Sequence, residues 1–261
     1  MTELPKRLLI IAGSDSSAGA GLQADLKTAQ AFGVYAQTVV TAVTVQDTGG
    51  VRAVHLIPSE IVRAQIEAAL GDIGADVLKI GMLGSGCIAS AVADALNDID
   101  LPLVLDPVLL SSSGTRLLDD EGVEILKSRL IPRTLLVTPN LPEAQALVGI
   151  LPNSDYSLRN AIKAFTLLGA QNILFKGGHG EGDMVRDTLV SDGQQTIFES
   201  PRQQTRHTHG TGCTLATAIA CGLALGQSLP DAVAGAHAYV QNAIRTAPGL
   251  GSGNGPLNHQ I

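Results

Sequence analysis

Residues 101–144, LPLVLDPVLLSSSGTRLLDDEGVEILKSRLIPRTLLVTPNLPEA, spell out a strand, a helix and a second strand. Leu103–Leu105 is a short apolar run that ends at Asp106-Pro107. Proline has no amide to give a ladder and holds the residue before it out of the helical region. Asp120–Leu130 reads as a helix, and Leu135–Val137 is again apolar and again closed by a proline, Pro139. Two short strands joined through a crossover helix lie parallel in one sheet.

The alternation extends in both directions. Upstream, strands at Leu8–Ala12, Thr38–Val45 and Val77–Ile80 alternate with helices at Leu22–Phe32, Ser59–Leu70 and Ile88–Asn97. Downstream, a helix at Asn160–Leu168 precedes a strand at Ile173–Phe175. Ser191-Asp192-Gly193 separates Thr188–Val190 from Gln195–Glu199, which predicts an antiparallel hairpin. Helices at Thr211–Leu225 and Asp231–Thr246 follow, and a Gly-rich loop, Gly249–Pro256, lies near the end. This rhythm predicts an α/β fold with a mostly parallel sheet covered by helices on both faces. No composition shift marks a linker, so residues 1–261 are expected to form one domain.

Bulk properties exclude several classes. A chain of 261 residues, 45% of them hydrophobic, can bury a sizeable core and is not expected to be disordered. Aromatics are only 3%, so that core has to be built from Ala, Val, Leu and Ile. The formal charge of -7, with no basic cluster, argues against a nucleic-acid partner. A site for an anionic ligand must then be made positive locally. Cys87, Cys213 and Cys221 form no CxxC pair and are odd in number, which fits a reducing cytoplasm. The apolar run after the polar N-terminus is too short for a signal peptide. The apolar stretch Cys213–Leu225 falls short of the roughly 20 residues of a membrane span. A soluble cytoplasmic protein is expected.

In such sheets ligands bind beyond the carboxyl ends of the strands, so the residues just past each strand are the candidates. Past the first strand lies Gly13–Gly21, a Gly-rich loop entering a helix that carries Asp25. It reads as an anion-binding loop, as a loose GxGxxA dinucleotide fingerprint, or as a packing turn. The fingerprint wants an acidic residue about 20 positions on. Asp47 is near that spacing, but Gln46–Gly50 reads as an exposed loop. Asp106 and Glu143, at neighbouring strand ends, could share Mg²⁺. Asn140 and Glu143 equally suit the cap and third position of a helix. Lys176 and the glycines after it suit phosphate. The last station, Gly210-Thr211-Gly212-Cys213, leads straight into an apolar helix. There free amides and the helix dipole favour a negative group and are expected to lower the Cys213 thiol pKa. His207 and His209 lack a spaced third ligand for zinc.

Together these stretches resemble the hydroxymethylpyrimidine/phosphomethylpyrimidine kinases of the ribokinase-like superfamily. The resemblance rests on IAGSDSSAGAGLQADLK (Ile11–Lys27), KIGML (Lys79–Leu83), VLDPVL (Val104–Leu109), TPNLPEA (Thr138–Ala144), FKGGH (Phe175–His179), THGTGCT (Thr208–Thr214) and GNGPLNH (Gly253–His259). The chain departs at Ser16-Ser17-Ala18, where many members carry Pro-Ser-Gly, and at Ser252, where His is frequent. The resemblance implies a three-layer α/β/α, ribokinase-like fold. It implies ATP and Mg²⁺ as cofactors, and two successive phosphorylations of 4-amino-5-hydroxymethyl-2-methylpyrimidine, to the monophosphate and then the diphosphate, in thiamine biosynthesis. It implies Gly13, Asp25, Gln46 and Met82 at the pyrimidine, and Lys176, with Thr138 and Asn140, at ATP. Asp106 and Glu143 fall in the metal region. Gly210, Thr211 and Gly212 become the anion hole, with Cys213 catalytic. It also implies a homodimer, and leaves pyridoxal as the alternative acceptor.

Overall fold

The computed structural model describes residues 4–111, 114–180 and 182–261. Among them nine strands form one sheet: β1 Arg7–Asp15, β2 Tyr35–Asp47, β3 Gly50–Leu56, β4 Val77–Ile80, β5 Leu103–Leu105, β6 Leu136–Val137, β7 Ile173–Phe175, β8 Met184–Ser191 and β9 Gln194–Pro201. Their order is β3-β2-β1-β4-β5-β6-β7-β8-β9. The pairings from β2 through β1, β4, β5 and β6 to β7 are parallel. Antiparallel pairings occur at the edges, β2 with β3, β7 with β8 and β8 with β9.

The helices are α1 Gly21–Ala31, α2 Ser59–Gly71, α3 Gly86–Ala95, α4 Asp120–Ile125, α5 Leu141–Val148, α6 Asp155–Leu167, α7 Thr211–Ala224 and α8 Leu229–Arg245. They cover both faces of the sheet, and β1 shows how. Its side chains alternate across the pleat. Leu9 and Ile11 belong to one core, shared with Val62 and Ile66 of α2, Val92 of α3 and Phe165 of α6. Leu8 and Ile10 belong to the other, shared with Leu22 of α1, Ile219 of α7 and Val233 of α8. Each fully buried Leu or Ile is worth about 1.5–3 kcal/mol over exposure, so β1 is clamped from both sides. The architecture is the three-layer α/β/α, ribokinase-like arrangement. Among the described residues, no helix is long and apolar enough to cross a membrane.

Three of the departures from the sequence reading have a local cause. Strand β3 has no counterpart in the sequence reading, because every one of its residues is partly or fully exposed and no buried alternation marks it. Helix α6 begins earlier than Asn160, where the Ser154 hydroxyl accepts the Ser157 amide. The helix expected over Asp120–Leu130 is α-helical to Ile125 and widens into a π turn over Leu126–Leu130.

Candidate active site

The carboxyl ends of β1, β4, β5, β6 and β7 open on one edge of the sheet. Strand order reverses at β1, flanked by β2 and β4, and such a reversal leaves a crevice. On one side of it Lys176, just past β7, sits between two acids. Its Nζ lies 2.6 Å from Asp106 Oδ1 and 3.6 Å from Glu143 Oε2. The buried Thr138 hydroxyl stands 3.3 Å from the same Asp106 oxygen. Asn140 and Glu143 form a reciprocal cap on α5: Glu143 N–H donates to Asn140 Oδ1 at 2.8 Å, and Asn140 N–H to Glu143 Oε2 at 2.7 Å. Glu143 therefore caps its helix and faces the lysine at once.

Electrostatics follow from enclosure. Burial, reinforced by Asp106 and opposed by Lys176, pushes the Glu143 carboxyl up to about 7. Burial also works against the Lys176 ammonium, but Asp106 and Glu143 outweigh it and hold the lysine charged.

Helix α7 brings its amino end to this cluster. Gly210 has φ 86°, and a side chain there would collide with the Gly19 carbonyl. No side chain caps α7, and its first backbone bond runs from Thr214 N–H to the Gly210 carbonyl at 2.9 Å. The amides of Gly212 and Cys213 thus lie ahead of the helix's own ladder, at the positive end of its dipole. The Thr211 hydroxyl donates to the Thr208 carbonyl at 2.7 Å. A Cβ on Gly212 would stand 3.3 Å from Lys176 Nζ and 3.4 Å from Asp106 Oδ2, so glycine allows helix and lysine to meet.

Cys213 corrects an expectation. Its thiol is pushed up to about 11, not down. Burial dominates, Asp25 and Asp106 add to it, and Lys79 and the Gly21 amide only partly offset it. The helix terminus loses to enclosure and nearby carboxylates.

Asp25 lies beneath this centre and is wholly buried. Its Oδ2 is 2.7 Å from Lys79 Nζ, and its Oδ1 accepts the Thr217 hydroxyl at 2.7 Å. It offers no surface to a ligand in this conformation. Gly13 and Met82 lie against each other, since a Cβ on Gly13 would stand 2.8 Å from Met82 Sδ. Gln46 sits on the far shoulder, its Nε2 3.1 Å from His209 Nε2 and its Oε1 accepting the Thr44 hydroxyl at 3.1 Å.

The Gly-rich loop carries its own anion. Asp15 accepts the amides of Ser17 at 2.8 Å, Gly19 at 3.1 Å and Ala20 at 2.8 Å. His209 Nε2 is 2.8 Å from the same carboxylate. Burial would raise the Asp15 pKa, but the bonds from His209, Ser17 and Ala20 together lower it to about 2. These amides are consumed inside the fold, which removes them from a dinucleotide pyrophosphate.

Lys79, Asp15 and His209 lie inside the quoted motifs, but the motifs do not show their partners. Lys79 carries a further sequence signal: it interrupts the apolar strand Val77-Leu78-Lys79-Ile80, where a buried charge requires a partner.

Residues 15–258 match the family model described as phosphomethylpyrimidine kinase. The Streptomyces coelicolor hydroxymethylpyrimidine/phosphomethylpyrimidine kinase is 45% identical over 255 residues, 98% of this chain and 94% of that protein. Among solved structures, an ADP complex of Bacillus subtilis pyridoxal kinase superposes with a TM-score of 0.90 at 32% identity, covering 98% of both chains. A phosphomethylpyrimidine kinase from Clostridium difficile superposes with a TM-score of 0.81 at 39% identity, covering 92% of this chain and 99% of that one. The family match and these relatives make the chain a phosphotransferase, and it belongs to the phosphomethylpyrimidine kinase family.

Proposed function

We propose that the chain transfers the γ-phosphoryl group of ATP to the hydroxyl of 4-amino-5-hydroxymethyl-2-methylpyrimidine, and then a second phosphoryl group to that monophosphate. The observation that carries this reading is the convergence of Lys176, Asp106 and Glu143 on the start of α7 beside Cys213. In each turn an acceptor oxygen bonds to the γ-phosphorus, the bond from that phosphorus to the bridging oxygen breaks, and ADP leaves. The first acceptor also releases its hydroxyl proton. Phosphoryl transfer asks mainly for positioning and charge stabilisation. Lys176 and the amides of Gly212 and Cys213 supply positive partners for the group in flight, with Gly210 and Thr211 shaping the turn. Thr138 and Asn140 hold Asp106 and Glu143 in place behind the nucleotide phosphates.

The two carboxylates also suit Mg²⁺. When both are ionised they carry more charge than one lysine neutralises, and burial, with Asp106 beside it, raises Glu143. Magnesium commonly takes one or two carboxylates and completes its shell with water and substrate phosphates. Asp106 and Glu143 would hold it, and it would neutralise phosphate charge there.

Gly13, Met82 and Gln46 line the acceptor side in this reading, and Asp25 supports it from below through Lys79. Support for ATP includes the ADP bound to the Bacillus subtilis neighbour. The likeness of that pyridoxal kinase favours pyridoxal as a second acceptor. The reading carries with it a cytoplasmic homodimer.

The test is ADP release from Mg-ATP with hydroxymethylpyrimidine, with its monophosphate and with pyridoxal in parallel. Turnover of the first two at kcat/KM well above pyridoxal is expected. Turnover of pyridoxal alone would replace the reading with its second form.

A further inference from the structure

The backbone that carries Lys176 is held from two directions. On one side, Lys176 N–H donates to the Pro139 carbonyl at 2.9 Å, which ties the residue to the end of β6. On the other, the next amide, Gly177 N–H, donates to Asp187 Oδ1 of β8 at 2.8 Å. The second oxygen of Asp187 lies 3.1 Å from His237 Nδ1 on α8. Both side chains are about nine-tenths buried. A carboxylate only accepts, so His237 carries its proton on Nδ1 toward Asp187. Gly177 cannot move toward β8 with a side chain, since a Cβ there would run into the Arg186 carbonyl. The two glycines after Lys176 have no side chains of their own to fix the turn.

We infer that His237 is a positioning residue for phosphoryl transfer: through Asp187 it fixes the Gly177 amide, and so the lysine between Asp106, Glu143 and Gly212. The inference rests on Lys176 serving the ATP phosphates. Neither His237 nor Asp187 belongs to the stations past the strands, and neither touches Lys176 Nζ. Their influence runs through one backbone amide. A displacement of about 1 Å in a charge-stabilising group can cost on the order of 100-fold in rate, so a partial loosening of this turn should cost about tenfold.

Two substitutions separate this role from simple packing. His237→Phe keeps a ring near Phe198, whose ring centroid is 6.1 Å from that of His237, but removes the donor. His237→Asn loses the ring and keeps an N–H donor near the position of Nδ1. Steady-state kinetics with ATP and acceptor varied in turn, with thermal melts of each variant, decide between them. His237→Phe is expected to lower kcat/KM for ATP about tenfold with acceptor KM unchanged, and His237→Asn to recover most of that loss. Equal damage to ATP and acceptor parameters, or better function in Phe than in Asn, would overturn the positioning role. Lys176→Ala measured alongside keeps the two claims apart. If it leaves ATP kinetics untouched, the assignment of Lys176 falls and takes this inference with it. If it lowers them and His237→Phe does not, only the inference falls.

Discussion

Cys213 stands at the start of α7 with its thiol pushed up to about 11, so at pH 7 it is held as the neutral thiol. The two acceptors make different demands on it. A primary alcohol must shed a proton as it attacks. A phosphate monoester, with a second pKa of about 6, is already anionic. A proton acceptor at Cys213 therefore matters to the first phosphorylation and not to the second. Cys213→Ser is expected to lower the first kcat on the order of 100-fold, a usual size for general base catalysis, and the second by far less. In the native protein, kcat/KM for the alcohol should also climb with pH between 7 and 10, and the serine variant should lose that slope. Equal losses in both steps, with unchanged pH profiles, would leave Cys213 a shaping residue of the anion hole. The thiol's local setting at Gly-Thr-Gly-Cys is legible in the sequence. The direction of its shift is not, because it depends first on burial and then on Asp25 and Asp106, brought near only by the fold.

Among the elements, α1, β4 and α7 are tied at one point beneath the crevice. Asp25 of α1 meets Lys79 of β4, 54 residues away in sequence, and Thr217 of α7, 192 residues away. Burial alone would strip Lys79 of its charge, but Asp25, through charge and hydrogen bond, and Asp106 outweigh it and keep the ammonium charged. Breaking a buried pair by removing one partner strands a charge, and typically costs about 3–5 kcal/mol. Lys79→Met should destabilise by that amount in urea unfolding. Adding Asp25→Leu should recover most of it, because an apolar pair carries no desolvation cost. Equal stability of single and double variants would mean that Asp25 is neutral in the fold. The boundaries of β4, β5 and β7 are legible in the sequence, as short apolar runs closed by turn residues or proline. The partner of Lys79 is not, since nothing local distinguishes Asp25 from an exposed helical aspartate. Strand β3 is lost for the opposite reason: an edge strand with no buried face leaves no period to read.

Across the whole molecule, the C-terminal segment closes over the start of α7 and joins β2, α7 and α8. Asn254 N–H donates to the Thr48 carbonyl at 2.8 Å beyond β2, and His209 N–H to the Gly255 carbonyl at 3.1 Å. Asn258 N–H reaches the Ala243 carbonyl at 3.1 Å, and the Tyr239 hydroxyl donates to the His259 carbonyl at 3.1 Å. The stretch is Gly-rich because close passage demands it: a side chain on Gly251 or Gly253 would collide with Thr48. Its composition reads as a loop, and it is one, but only the fold shows that it is a strap. Its last anchor is His259, whose Nε2 is 3.0 Å from the Thr214 hydroxyl, one residue past Cys213. Burial, helped by Lys27, lowers the His259 pKa to about 4, against 6.5 for a free imidazole. The folded protein therefore resists a proton that the unfolded chain accepts. The stability tied to neutral His259 is complete above pH 6.5 and drains away as the pH falls through about 4. After allowance for partial solvent access it amounts to on the order of 2–3 kcal/mol. His259→Gln keeps a hydrogen-bonding group for Thr214 and does not titrate. Urea unfolding of both proteins should give nearly equal stability at pH 7.5. By pH 4 the native chain should have lost about 2–3 kcal/mol more than the variant, with kinetics for ATP weakening as the strap loosens from α7. Parallel stability curves from pH 7.5 to 4 would show that the imidazole is free to protonate in place, and that the strap is held by its backbone bonds to Thr48 and Ala243 instead.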